Sequence, residues 1–242
     1  MASVSNSLER EIGHAKSSTL NRESPVVISF SGIDGSGKST QIAKLLNRLR
    51  DAGLVVSQLT FWDDVAVLSR FRADVSHKLL HGEGGVGTPE NPVNRNDKNV
   101  RTWYLTLPRC VLHFLDSLCL RQKLRRARAN APDVIVCDRY IFDQLATLPL
   151  DRAWARACAR LILQVAPIPD VAYLLDVEPE IARARKPEYP LDFMHRYRAS
   201  YLQLRDLAGM AMIEPMSQDE VHEAITTKLQ DSTNLRLRNS TS

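Results

Sequence analysis

Residues 30–41 read FSGIDGSGKSTQ, in which Gly32, Gly37, Lys38 and Ser39 satisfy the spacing GxxxxGK[ST]. The chemistry this spacing serves is a grip on polyphosphate. Glycines at 32, 35 and 37 let successive amide N–H groups turn inward and approach phosphate oxygens with no Cβ in the way. A helix beginning near Ser39 adds its unsatisfied N–H groups and the positive end of its dipole. The Lys38 ammonium would bridge the β- and γ-phosphates, and the Ser39 hydroxyl would ligate Mg²⁺. The bland alternative is a glycine-rich turn with an incidental lysine. Against it stand the apolar run VVISF (26–30) before the loop and Ile42, Leu45, Leu46 and Leu49 at helical spacing after it. Strand, loop and helix in this order are the context the motif requires, so a nucleoside triphosphate is the expected ligand.

Other charged groups fall near strand ends. Asp138 and Arg139 follow the run DVIVC (133–137), at the end of a strand, where open α/β sheets bind ligands. Arg139 has the planar fork suited to phosphate, although an Asp–Arg pair can also merely fasten a strand end. Asp63 and Asp64 sit beside Trp62 after the second apolar run. A carboxylate there could deprotonate a neutral hydroxyl, or could decorate an exposed helix N-terminus. ARARKPEYP offers Arg183, Arg185 and Lys186. The basic run RQKLRRARA (121–129) lacks interleaved aromatics and reads as a solvated helix face, so no nucleic-acid partner is expected.

The elements that must position these groups alternate along the chain. Strands are expected at 26–30, 54–62, 133–137, 170–176 and 209–214, separated by helical patterns. Pro108 predicts a kink or fresh start in the helical stretch 100–129, whose apolar face would be Val111, Phe114, Leu115 and Leu118. Trp154, Ala157, Cys158, Leu161, Ile162 and Val165 form a second stripe. Phe193, Tyr197 and Tyr201 recur every fourth residue, and Ser217 with Glu220 predicts a capping box. A further helix with Leu68 and Phe71 precedes a Gly/Pro/Asn-rich loop at 81–97. With 242 residues, 44% hydrophobic and 25% charged, the chain suits one α/β domain over 25–230, with a disordered tail at 1–24 and a polar one at 231–242. The net charge of +4 favours anionic ligands without choosing among them. Four dispersed cysteines and six histidines show no disulfide or zinc spacing. No apolar leader or span-length segment is present in the sequence, which predicts a cytoplasmic chain with no membrane partner.

The loop string GIDGSGKSTQ resembles that of the thymidylate kinase family of P-loop nucleoside monophosphate kinases. CDRYIFDQLA (137–146), YLLDVEPEIARAR (173–185) and DFMHRYRASYLQL (192–204) extend the resemblance over roughly residues 26–230. It implies a three-layer P-loop kinase fold with a five-stranded parallel sheet, helices on both faces and a short lid. It also implies transfer of the ATP γ-phosphoryl to a nucleoside monophosphate, dTMP foremost, with ATP and Mg²⁺ bound, and it allows a homodimer. Under it, Gly32, Asp34, Gly35, Ser36, Gly37, Lys38, Ser39 and Thr40 would bind ATP, and Ser39 and Asp138 would face the metal. Lys38, Asp138, Arg139 and Arg185 would be catalytic, with Arg139 on the acceptor phosphate. Asp34 would meet the acceptor sugar or brace the loop, and Arg109 and Asp143 would lie on the acceptor side. Family members can carry a basic residue in the loop or in the lid. Gly35 has no charge to give, which assigns the task to the lid and, by alignment, to Arg185 over Arg183 and Lys186. The chain departs from the family at FWDDVAVLSRFR after the second strand, at Asp143, Ala146 and Thr147, and at Pro187 and Pro190. These departures keep open a nucleoside kinase using Asp63 or Asp64 as base, and a catalytically silent ATP-binding module. The 81–97 loop and the 183–190 lid are expected to move on binding.

Overall fold

The computed structural model describes residues 24–65 and 103–233. In chain order they form β1 (Val26–Ser31), α1 (Lys38–Asp51), β2 (Val56–Thr60), α2 (Trp103–Ala129), β3 (Val134–Asp138), α3 (Ile141–Leu145) and α4 (Ala153–Val165). β4 (Val171–Leu175), α5 (Pro179–Arg185), α6 (Leu191–Ala208), β5 (Ala211–Ile213) and α7 (Gln218–Thr233) follow. A π-helical turn, Phe61–Val65, leaves β2 in place of the strand end expected there.

The five strands are parallel in the order β2-β3-β1-β4-β5. Successive strand residues alternate between two apolar layers. Val26, Ile28, Phe30, Val134, Val136 and Tyr173 pack with Leu45 and Leu49 of α1 and Ile225 and Leu229 of α7. Val27, Ile135, Cys137 and Leu174 pack with Leu124 of α2, Leu145 of α3, Ile162 of α4 and Leu204 of α6. Strands buried on both faces need apolar residues at nearly every position, which is why VVISF and VIVC read as unbroken runs. The expected α/β architecture, a parallel sheet between two helical layers, is what forms.

Register decides where the site lies. Phe30 of β1 stands level with Asp138 of β3, and Thr60 of β2 pairs with the same Asp138. The carboxyl ends of the three neighbouring strands therefore finish together. The glycine loop, Arg139 and the exit from β2 share one edge of the sheet.

Local signals shape the helix ends. Gly53, at φ +81°, follows α1 as its expected stop. Before α7 the Ser217 N–H donates to Glu220 Oε2 at 2.9 Å and the Glu220 N–H to Ser217 Oγ at 3.4 Å, the reciprocal box predicted. In α6 the Phe193 and Tyr197 rings stack with centroids 5.3 Å apart, and Tyr201 packs tilted against Tyr197 at 4.8 Å. α7 continues to Thr233, past the expected domain end at 230.

Two helical faces differ from expectation. α2 runs through Pro108 without a fresh start. Its expected core stripe of Val111, Phe114, Leu115 and Leu118 is exposed, while Cys110, His113, Asp116, Leu120 and Leu124 are buried. On α4 the buried positions are Ala155, Ala159 and Ile162, and Leu161 is exposed. α2 and α4 pack against each other. Small side chains at such a contact allow close approach of the axes, so position relative to the neighbour decides burial and apolar character does not.

Among the described residues no helix is long and apolar enough to cross a membrane, and the four cysteines are free thiols. The N-terminal tail up to residue 23, the expected helix with Leu68 and Phe71, the 81–97 loop and residues 234–242 lie outside the described residues, as do the side chains of Asp63 and Asp64.

Candidate active site

The loop between β1 and α1 is built from backbone. A Cβ on Gly32 would stand 2.5 Å from the Leu175 carbonyl oxygen, so the loop approaches the end of β4 too closely for any side chain. Gly37 caps α1 at φ +86° with no side-chain hydrogen bond. The first-turn amides of a helix have no intrahelical acceptor, so those of Lys38, Ser39 and Thr40 are available to an anion. Ser39 and Thr40 are exposed, and a Cβ on Gly37 would meet nothing within 4 Å. Lys38 is buried inside this curve. Its ammonium donates to the Gly32 and Ile33 carbonyls, each at 2.8 Å, and to Ser36 Oγ at 3.3 Å. Burial, then repulsion by Arg139, brings its pKa down to about 8, with Asp34, Asp143 and Asp138 pulling the other way.

Across the edge, Asp138 closes β3 half-buried, and burial raises its pKa while Arg139 and Lys38 partly offset this. Ser39 and Asp138 are oxygen donors of the hard type that Mg²⁺ takes. The next residue, Arg139, adopts φ +67°, a left-handed backbone unusual for a residue with a side chain, and its N–H donates to the Phe30 carbonyl at 3.1 Å. Its guanidinium pairs with Asp34 of the loop and reaches Asp143 Oδ1 at 3.5 Å. Burial pulls the guanidinium pKa down, but Asp34 and Asp143 more than offset it, so Arg139 stays charged. Loop and strand end are thus joined through Asp34 and Arg139.

Asp143 was expected to face the acceptor, but it points inward. It is 2% exposed, and its carboxylate accepts from Ser31 Oγ at 2.7 Å, the Tyr140 N–H at 2.9 Å and Tyr201 OH at 2.8 Å. Asp143 sits in the first turn of α3, and its carboxylate meets Ser31 at the end of β1. Arg109 of α2 donates to Thr147 Oγ1, beyond α3, at 3.1 Å.

Helix α5, which leads into the 183–190 segment, packs its backbone against the loop. A Cβ on Gly35 would lie 2.3 Å from the Ala182 carbonyl oxygen. No side chain of any kind fits at 35, and Arg185 Nη1 stands 3.5 Å from the Gly35 carbonyl. Lys186 pairs instead with Glu188 at 3.0 Å, and Arg183 is half-buried. One group that the sequence did not single out fastens the lid root. Arg198 of α6 grips both Asp176 oxygens at 2.8 and 2.7 Å and Glu178 at 2.8 Å. No local spacing distinguished it from the exposed Arg196 two residues earlier. With Lys38 below, Arg139 at the side and Arg185 above, the edge can hold a polyphosphate and stabilise charge on a transferring phosphoryl.

No protein-family model matches the chain. It is similar to the probable thymidylate kinase of Archaeoglobus fulgidus, 27% identical over 224 residues that cover 87% of this chain and 98% of that protein. The probable thymidylate kinase of Methanothermobacter thermautotrophicus is 29% identical over 187 residues, 75% of this chain and 82% of its own. The thymidylate kinase of Desulfotalea psychrophila is 29% identical over 161 residues, covering 66% of this chain and 67% of the relative.

Proposed function

We infer that this thymidylate kinase-like chain moves the γ-phosphoryl of ATP onto a nucleoside monophosphate, with dTMP as acceptor and dTDP as product. The observation that carries the reading is the buried Lys38 ammonium, enclosed by the Gly32 and Ile33 carbonyls beneath a lid that brings Arg185 to Gly35. Those carbonyls hold a charge that β- and γ-phosphate oxygens would take over. The amides of Gly35, Gly37, Lys38, Ser39 and Thr40 would line the triphosphate, while the Ser36 N–H is held by the Ile33 carbonyl at 3.2 Å and Ser36 Oγ steadies Lys38. Ser39 and Asp138, both hard oxygen donors, would hold Mg²⁺. The ion supplies charge neutralisation between two anionic substrates.

Asp34 and Arg139 work as a pair on the acceptor: the guanidinium, held by Asp34 and Asp143, presents its remaining donors to the acceptor phosphate, and the Asp34 carboxylate takes the sugar hydroxyl. Arg109 stands further out on that side. A phosphate oxygen is already anionic, so attack needs no general base, and the protein's part is alignment and cationic stabilisation. Arg185 contributes from the lid as negative charge spreads over the transferring group. Closure by the lid keeps water, the competing acceptor, away.

The partners of this reading are nucleotides and not nucleic acid. Assembly of two copies belongs to it as well, through the exposed face of Val111, Phe114, Leu115 and Leu118. Burying that stripe about a two-fold axis would remove apolar surface from water, and the mass measured by sedimentation checks it.

The activity test is an acceptor panel at fixed ATP and Mg²⁺, with ADP release followed for dTMP, other nucleoside monophosphates and thymidine. Turnover on dTMP that exceeds thymidine by orders of magnitude is expected. Preferred turnover of thymidine would overturn the reading in favour of a hydroxyl acceptor, and no turnover at all would leave an ATP-binding module.

A further inference from the structure

Asp143 is spoken for. A carboxylate offers about four lone-pair directions, and here protein donors approach from four sides. Oδ2 accepts from Ser31 Oγ at 2.7 Å and the Tyr140 N–H at 2.9 Å; Oδ1 accepts from Tyr201 OH at 2.8 Å and faces Arg139 Nη1 at 3.5 Å. The main-chain carbonyl of the same residue accepts from Tyr197 OH at 3.1 Å. Nothing remains for a substrate, yet every donor comes from an element that matters to the site. Ser31 ends β1 directly before the glycine loop, Tyr140 and Arg139 begin the segment after β3, and both tyrosines belong to α6.

A buried carboxylate is costly unless paired and hydrogen-bonded, and a guanidinium held between two carboxylates has little freedom to swing. Asp34 holds Arg139 from the loop, and Asp143 holds it from beneath. The tyrosine hydroxyls cannot lose this function by ionising, since burial, followed by the field of Asp143, raises both phenols far above their ordinary range. The helix that carries them also carries Arg198, clamped to Asp176 and Glu178 at the root of the lid. One rigid helix therefore touches the lid root near its middle and the anchor of Arg139 a turn away.

We propose that Asp143, with Tyr197 and Tyr201, is a positioning unit that fixes the Arg139 guanidinium for the acceptor phosphate and ties its place to the helix behind the lid. The unit touches no substrate and acts through Arg139. It rests on the phosphoryl-transfer reading above, which gives Arg139 its task.

Asp143→Asn tests it. The amide keeps one oxygen, and the fixed Tyr140 N–H together with the Ser31 hydroxyl claims that side. The new NH₂ then faces Arg139, donor against donor. The KM for dTMP is expected to rise about tenfold or more and kcat to fall about as much, while the KM for ATP stays within about twofold. Tyr201→Phe removes one hydroxyl without touching charge and covers the case in which Asp143→Asn does not fold. Its KM for dTMP should rise about threefold, again with ATP unaffected.

A purely structural role would instead lower the melting temperature and leave both KM values where they are. That outcome, or equal changes toward ATP and dTMP, overturns the proposal. If the wild-type protein phosphorylates no acceptor, the transfer reading fails, and the unit is judged by a double-mutant cycle in unfolding with Asp143→Asn and Arg139→Gln. Coupling of the two supports the unit, and additivity overturns it.

Discussion

Replacing Gly35 with alanine should uncouple the lid from the loop at little expense elsewhere. The added Cβ would lie 2.3 Å from the Ala182 carbonyl oxygen and 2.9 Å from its carbon. These are backbone atoms of α5, so no side chain can rotate aside. A carbon–oxygen contact relaxes near 3.3 Å, which requires α5 to retreat by roughly 1 Å. The backbone at Gly35, φ +88°, adds a left-handed strain of about 1–2 kcal/mol for a residue with a Cβ. Gly53→Ala separates the two effects, because Gly53 has φ +81° and nothing within 4 Å of its would-be Cβ. Strain alone should lower its melting temperature by about 2–8 °C in a protein of this size, with activity unchanged. Gly35→Ala should show at least the same loss together with a fall in kcat of about 100-fold, the usual penalty for a misplacement near 1 Å. Arg185 Nη1 begins only 3.5 Å from the Gly35 carbonyl and would move out of reach with its helix. The assay is steady-state transfer from ATP to dTMP alongside thermal unfolding of both variants. Wild-type kcat in Gly35→Ala, with a melting shift no larger than that of Gly53→Ala, would refute the reasoning, since α5 would then have no fixed seat on the loop.

Two more outcomes follow from the same geometry. Arg185→Ala should cut turnover by about 100- to 1,000-fold while the KM for ATP changes little, because the exposed guanidinium acts on charge that develops during transfer; equal losses in both would count against a lid cation. Lys38 makes ATP binding pH-dependent. Its proton is lost in the folded protein near pH 8, so affinity measured by calorimetry should decline as pH rises through about 8, with proton uptake on binding there. The unfolded chain keeps that proton up to the ordinary value of 10.5, so this group makes the nucleotide-free protein more stable as pH rises between the two values. An affinity that stays flat across that window would show that Lys38 does not carry the phosphate.

Much of the site was legible because its parts are local. The glycine loop, the lysine within it and the helix behind it are neighbours in the chain, and backbone sterics alone restrict what such a string can do. The same holds for the capping box at Ser217 and Glu220 and for the four-residue ladder of Phe193, Tyr197 and Tyr201. Arg185 lies 3.5 Å from the Gly35 carbonyl, a contact across 150 residues that no local pattern could give. The direction of Asp143 was open in the sequence, because the Ser31 and Tyr201 hydroxyls that claim its oxygens lie 112 and 58 residues away along the chain.

Taken alone, the sequence determined that strands and helices alternate, that a glycine-rich loop with a lysine follows the first strand and that basic residues gather after the fourth; each depends on contacts within one turn or one strand. Tertiary structure alone decided the strand order, the inward face of α2 and the partners of Asp34, Asp143 and Arg198. Periodicity shows that a helix has two faces but not which neighbour will cover either one. An ionic side chain finds its partner among whatever the packed sheet edge brings within about 4 Å, and that distance is set by the whole fold.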